Sequence, residues 1–198
     1  MNVLIACEFS GIVRDAFRKA GHDAISVDLL PTEGSPRWHI KGDIREVLDA
    51  SVPGQWDPMI AFPPCTYLCR SGIHWNRTRP ERAAKTEEAL CFVRLLMDAL
   101  IPRVALENPV GVISSRIRKP DQVIHPHQFG HPENKATCLW LKNLPPLEPT
   151  DRVFPLVDRV HRAAPGPDRW RERSRTLPGI AAAMAAQWSR LGASSEAA

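Results

Sequence analysis

The chain has 198 residues, 43% of them hydrophobic, with 26 Lys+Arg against 22 Asp+Glu for a net charge of +4. That length suits one compact domain with a real core, and no apolar run approaches the roughly 18 to 20 residues that span a bilayer. The mild basic excess permits a polyanionic partner and does not require one.

Residues 2–7 (NVLIAC) are a short apolar run, the profile of a buried parallel strand. No basic region precedes it and it breaks at Glu8, which argues against a secretory leader. Ile12, Val13, Ala16, Phe17 and Ala20 then recur at helical spacing until Gly21 supplies a stop. DAISVD reads as a second strand ending in Asp28. Strand, small-residue turn, helix, strand, acid is how a doubly wound, mostly parallel α/β sheet opens. A polar loop with a short third strand leads to Gly42, and REVLDA reads as a short helix. WDPMIAF is a strand stopped by Pro63-Pro64, and residues 80–100 are the clearest helix, with Ala84, Leu90, Phe92, Val93 and Leu96 on its apolar side. RVALEN is a strand running into Pro109, and two short strands (QVIHPHQF and ATCLWL) lie between proline breaks from residue 121. Residues 145–172 show no sustained period and read as a long loop, followed by a helix from about Pro178 to Leu191 and a disordered tail at 192–198. Residues 1–191 thus read as one domain, without internal repeats.

Five places carry chemistry. The turn Glu8-Phe9-Ser10-Gly11 precedes a helix whose first N–H groups suit a carboxylate or phosphate, or it is simply a tight turn with an N-terminal acid. Asp28 stands where such folds bind ribose hydroxyls. Asp43, in Gly42-Asp43-Ile44, either contacts an adenine amino group or caps the REVLDA helix, the cap being the favoured reading on spacing alone. Pro63-Pro64-Cys65 ends an apolar strand at the edge where open α/β sheets place ligands. A thiol there is either a nucleophile, if nearby charge favours its thiolate, or a structural cysteine. Glu107-Asn108-Pro109 ends another apolar strand, where a carboxyl either stays protonated as an acid, hydrogen-bonds a heterocycle, or is a solvated strand end, the last being the favoured reading of this motif alone. The five cysteines, an odd number, read as reduced thiols in a cytoplasmic protein. Cys65, Cys69 and His74 lack a fourth ligand, so a metal site is not expected.

Together, EFSG, VD, GDI, FPPC and ALENP, in this order and spacing, resemble the cytosine-C5 DNA methyltransferases. WDPMIAFPPCTYLCRSG is similar to the family's nucleophile motif, RVALENP to its Glu-Asn motif and FGHPENKAT to its Gln/Arg motif, while RSRTLPGIAAAMAAQW sits where its last motifs lie. The likeness runs from about residue 2 to 190 and is greatest to short, phage-type members.

The resemblance implies a Rossmann-like fold and S-adenosyl-L-methionine as cofactor. Cys65 would add to C6 of cytosine, and Glu107 would hold N3 and the exocyclic amine. Phe9, Ser10 and Gly11 would take the methionine part of the cofactor, Asp28 its ribose, and Asp43 with Ile44 its adenine, with Pro63 beside it. Pro64, Asn108, Lys135 and Thr137 would face the substrate base. DNA is the implied partner, with RNA or a free nucleotide as alternatives, and no membrane. Three departures stand out: Glu8 and Ser10 replace glycine-rich positions, Glu133 and Thr137 replace Gln and Arg, and only about 35 residues occupy the place of a target-recognition domain. A separate specificity subunit, or a degenerate binding module without catalysis, would fit those departures. The Arg-rich stretch Arg152, Arg159, Arg162, Arg169, Trp170 and Arg171 is either a phosphate grip or a solvated loop, its acids offsetting most of the charge.

Overall fold

A computed structural model describes residues 1–154, 166 and 169–192. Seven strands form one sheet: β1 (Asn2–Ala6), β2 (Asp23–Asp28), β3 (His39–Lys41), β4 (Met59–Ala61), β5 (Val104–Pro109), β6 (Gln122–Ile124) and β7 (Thr137–Lys142). Their spatial order is β3-β2-β1-β4-β5-β7-β6. The first five run parallel, and β7 enters antiparallel to both β5 and β6. The expected doubly wound, mostly parallel Rossmann-like sheet is therefore present. The order reverses between β1 and β4, and ligands of such sheets lie in the crevice beyond the strand ends at that switch.

Two helical layers cover the sheet, and side-chain alternation decides which residue meets which. Val3 and Ile5 face α1 (Ile12–Lys19) and the C-terminal helix, whereas Leu4 and Ala6 face the opposite core. On that opposite side lie α2 (Ile44–Ala50) and α4 (Pro80–Met97), the latter burying Leu90, Val93 and Leu96. Two single-turn helices, α3 (Arg70–Ile73) and α5 (Ile113–Arg116), follow the ends of β4 and β5, and neither shows in the sequence period because each is too short to have one. QVIHPHQF holds only three strand residues before Pro126 opens a 3₁₀ turn.

Of the segment 145–172, residues 155–165 and 167–168 lie outside the described residues, as does the tail after Gly192. What is described of its end is helical: α6 spans Arg169–Ser174. The final helix, α7 (Pro178–Trp188), stops three residues before Leu191 and continues as a 3₁₀ turn. It buries Ile180, Ala181, Ala183, Met184, Ala185 and Trp188, so alanine here marks close helix packing. Among the described residues no helix is long and apolar enough to cross a membrane.

Candidate active site

β4 is short because Pro63 and Pro64 end its ladder; the last link is Phe62 N–H donating to Ala6 C=O at 2.9 Å. The chain then turns helically, Leu68 N–H and Cys69 N–H both donating to the Cys65 carbonyl at 3.0 and 2.9 Å. The turn is pinned to the loop after β5. Val112 N–H donates to Leu68 C=O at 2.9 Å and Arg70 N–H to Val110 C=O at 3.2 Å. Gly111 makes this approach possible, since a Cβ there would stand 2.0 Å from the Leu68 carbonyl oxygen. Asn108 completes the clamp, its buried amide donating to Pro63 C=O at 2.7 Å. Asn108, expected to face the base, uses its amide nitrogen to position the proline turn. Of the two prolines, Pro63 is buried and Pro64 exposed.

Cys65, Glu107 and Lys135 converge at this edge, close enough for the charges of Glu107 and Lys135 to act on the Cys65 thiol. Burial pushes the Glu107 carboxyl above the usual carboxylate range, partly opposed by Lys135 and by a hydrogen bond from Thr137. The register explains Thr137: Glu107 stands opposite Leu139, so Thr137 is its diagonal neighbour on β7. Lys135 Nζ also donates to Arg173 C=O at 3.2 Å, tying this edge to α6. A cavity of about 450 Å³ opens here, lined by Glu107, Glu133, Lys135 and Thr137 with Arg173 and Thr176 of the C-terminal segment.

The thiols behave differently from the expectation that positive charge favours a Cys65 thiolate. Cys65 is pushed up, first by its hydrogen bond with Cys69 and then by burial, while Lys135 pulls weakly the other way. Cys69 moves down, first through its neighbour Cys65 and then through Ser71 Oγ, 3.3 Å from its sulfur, and the nearby backbone N–H groups of α3, with burial opposing them. The two thiols thus shift in opposite directions. Cys69 was legible only as a cysteine four places on; its role depends on the helical turn.

A second cavity, about 240 Å³, lies beyond β1, β2 and β3 and is lined by Asp28, Asp43, Ile44, Pro64 and Phe92 among others. Three of the residues expected around the ribose and adenine thus share one slot. Pro64 is there in place of Pro63, and Phe92, which the period marked as an ordinary helix-core residue, adds an aromatic wall. Burial raises the Asp28 carboxyl despite its bond from Leu30 N–H at 2.9 Å. Cys7, deep in the slot with φ of 59°, is raised to about 12 by burial and by Asp28 and Asp43. Asp43 is the cap that spacing favoured: it accepts from Arg45 N–H at 2.9 Å and from the Arg45 guanidinium through both oxygens. That pair holds the Asp43 carboxyl below its usual range. A direct bond to an adenine amine would have to compete with Arg45.

The first turn is a correction. Its helix does not present free N–H groups, because Glu8 has taken them. The buried Glu8 carboxylate accepts from Val13 N–H at 2.7 Å and Arg14 N–H at 3.3 Å, Ser10 Oγ donates to it at 3.1 Å, and Ile12 N–H donates to Ser10 Oγ at 3.3 Å. Gly11, at φ 75°, makes the turn and lies where a Cβ would meet the buried Arg14 guanidinium. Phe9 is buried against Trp170, and Arg171 and Arg175 pair with Glu33. Ser10 is therefore spent on structure, and Phe9 and Gly11 shape the turn.

No family model matches the chain, and no curated protein matches it. Among solved structures it is similar to a candidate DNA modification methyltransferase encoded within a prophage (E. coli), with 16% identity and a TM-score of 0.47. The alignment covers 83% of this chain and 56% of that one, so the chain spans little more than half its length.

Proposed function

We propose that the chain is an S-adenosyl-L-methionine-dependent methyltransferase acting on C5 of cytosine in DNA. The observation that carries the reading is the convergence of the Cys65 thiol and the enclosed Glu107 carboxyl at the ends of adjacent strands β4 and β5, close to the acid-lined slot.

The slot fits an adenosine: apolar walls from Ile44 and Phe92, and the Asp28 carboxyl for the ribose diol. The α1 N-terminus does not offer the methionine carboxylate the N–H groups of Val13 and Arg14, so the cofactor's amino-acid end must be held elsewhere. When bound, the cofactor supplies an electrophilic methyl group. The chain's own residues do the rest. Cys65 loses its proton and its sulfur bonds to C6, so that electron density moves through C5 to N3. Glu107, its carboxyl pushed above the usual range by burial, hydrogen-bonds N3 as negative charge develops there. Lys135, beside both groups, favours the Cys65 thiolate and tempers the Glu107 shift. After methylation, loss of the C5 proton expels the Cys65 sulfur and restores the ring.

The choice of DNA rests on the segment after the nucleophile. Residues 66–85 carry five basic residues (Arg70, Arg77, Arg79, Arg82 and Lys85) against one acid, Glu81. Trp75 is exposed there with the Arg79 guanidinium 4.6 Å over its ring. Such a ledge suits phosphates, and a stacked ring suits an unpaired base. A base in a duplex must still be flipped out. The test is transfer of labelled methyl from the cofactor to cytosine-containing DNA, RNA and nucleotides in parallel. Label in 5-methylcytosine of DNA supports the proposal, label only in RNA or nucleotide moves it to that substrate, and cofactor binding without transfer to any of them refutes it.

A further inference from the structure

We propose that Cys65 and Cys69 are a peroxide-sensitive dithiol, closing to a disulfide that reversibly caps the sulfur at the β4 edge. The geometry is local. Cys69 N–H donates to the Cys65 carbonyl at 2.9 Å, which places the two residues one helical turn apart. A turn advances about 5.4 Å, inside the usual Cα separation of a disulfide. The two thiols lie close enough to act on one another. Both residues keep solvent-accessible surface, whereas Cys138 is buried. The backbone around them is held by the bonds to Val110 and Val112, so a linkage needs little motion of the chain.

The environment divides the labour. Cys69 stands at the N-cap position of α3 with its sulfur 3.3 Å from Ser71 Oγ, and its surroundings favour its thiolate. A thiolate reacts with peroxide where a thiol does not. The Cys69 sulfur attacks one peroxide oxygen; an S–O bond forms, the O–O bond breaks, and the departing hydroxide takes a proton to become water. Cys65 then attacks the sulfur of the Cys69 sulfenic acid; the S–S bond forms, the S–O bond breaks, and the Cys65 proton leaves with that hydroxide as a second water. Two thiols are oxidised, one peroxide is reduced, and a reducing thiol reverses the exchange. The loss of function that follows rests on Cys65 being the nucleophile; the disulfide does not.

The experiment treats the full chain with hydrogen peroxide, alkylates free thiols and digests with trypsin. Residues 46–70 form one tryptic peptide holding Cys65 and Cys69 and no other cysteine. The expected product is that peptide, lighter by two hydrogens and unalkylated, restored by dithiothreitol. In C69S the same treatment should leave Cys65 alkylatable or carry it to sulfinic acid, with no recovery of oxidised Cys65 by dithiothreitol. Serine keeps a helix cap at this position. Recovery of both thiols free, or of Cys65 joined to Cys7 or to another chain through Cys91, would overturn the inference. If the internal disulfide forms but DNA never traps Cys65, the dithiol stands and the methyltransferase reading falls.

Discussion

The two halves of the sheet edge spend their polar residues differently. At the ends of β4 and β5, Asn108, Gly111 and the proline turn hold the frame, which leaves the Cys65 thiol and Glu107 carboxyl at the crevice. Around β1, β2 and β3, the corresponding groups are largely consumed. Glu8 and Ser10 close the start of α1, and Asp43 is tied to Arg45. A residue at a motif position is available for chemistry only if the fold has not already used its hydrogen bonds. The β4–β5 half meets that condition, and in the other half Asp28 and the apolar slot come nearest.

The largest expected break is chemical. Replacing Cys65 by Ala should remove methyl transfer altogether, a loss of at least about 10³-fold, while melting temperature and cofactor binding stay near wild type. E107Q should lower kcat by about 10² to 10⁴, measured under single-turnover conditions. It should also change stability in a pH-dependent way. Burial raises the folded carboxyl above its unfolded value, so the stability Glu107 contributes is full below the unfolded pKa and is lost as pH rises through the folded one. Removing that titration should make E107Q relatively more stable above the folded pKa, and thermal melts across this range will check the sign.

Gly111→Ala tests the frame. Its Cβ would meet the Leu68 carbonyl, so the Cys65–Cys69 turn must shift. A loss of about 2 kcal/mol or more in stability is expected, together with slower alkylation of Cys69, followed by denaturant melts and mass spectrometry. On the other side, Glu8→Ala should cost about 1–3 kcal/mol, because two buried N–H groups lose their acceptor. If Glu8 is only a cap, binding of S-adenosylhomocysteine by the folded fraction will not weaken. The smallest effect is expected for Arg45→Ala, with thermal melts close to wild type because its guanidinium is exposed.

Much of this was legible in the chain. The apolar runs of β1, β4 and β5 read as buried parallel strands because both faces of each are covered, and their polar ends located Cys65 and Glu107. What escaped depended on tertiary partners. Glu8 looks the same in sequence whether its carboxylate is free or caps α1. Gly111 is one glycine among eleven until Leu68 comes against it. Phe92 kept its helical period and still turned toward the slot, since the period shows burial and does not tell a core from a pocket wall. The segment from Arg70 to Arg77 hid its two short helices because four residues carry no measurable period.

The proposed reaction requires Cys65 to attack a cytosine ring, and trapping on DNA containing 5-fluorocytosine tests this most directly. With fluorine at C5 the final elimination is blocked, so the protein with cofactor should form a denaturation-resistant adduct whose linked peptide maps to Cys65. It should be absent in C65A and retained in C69S under reducing conditions. No adduct on any cytosine-containing strand, or one linked through Cys69 instead, would contradict it.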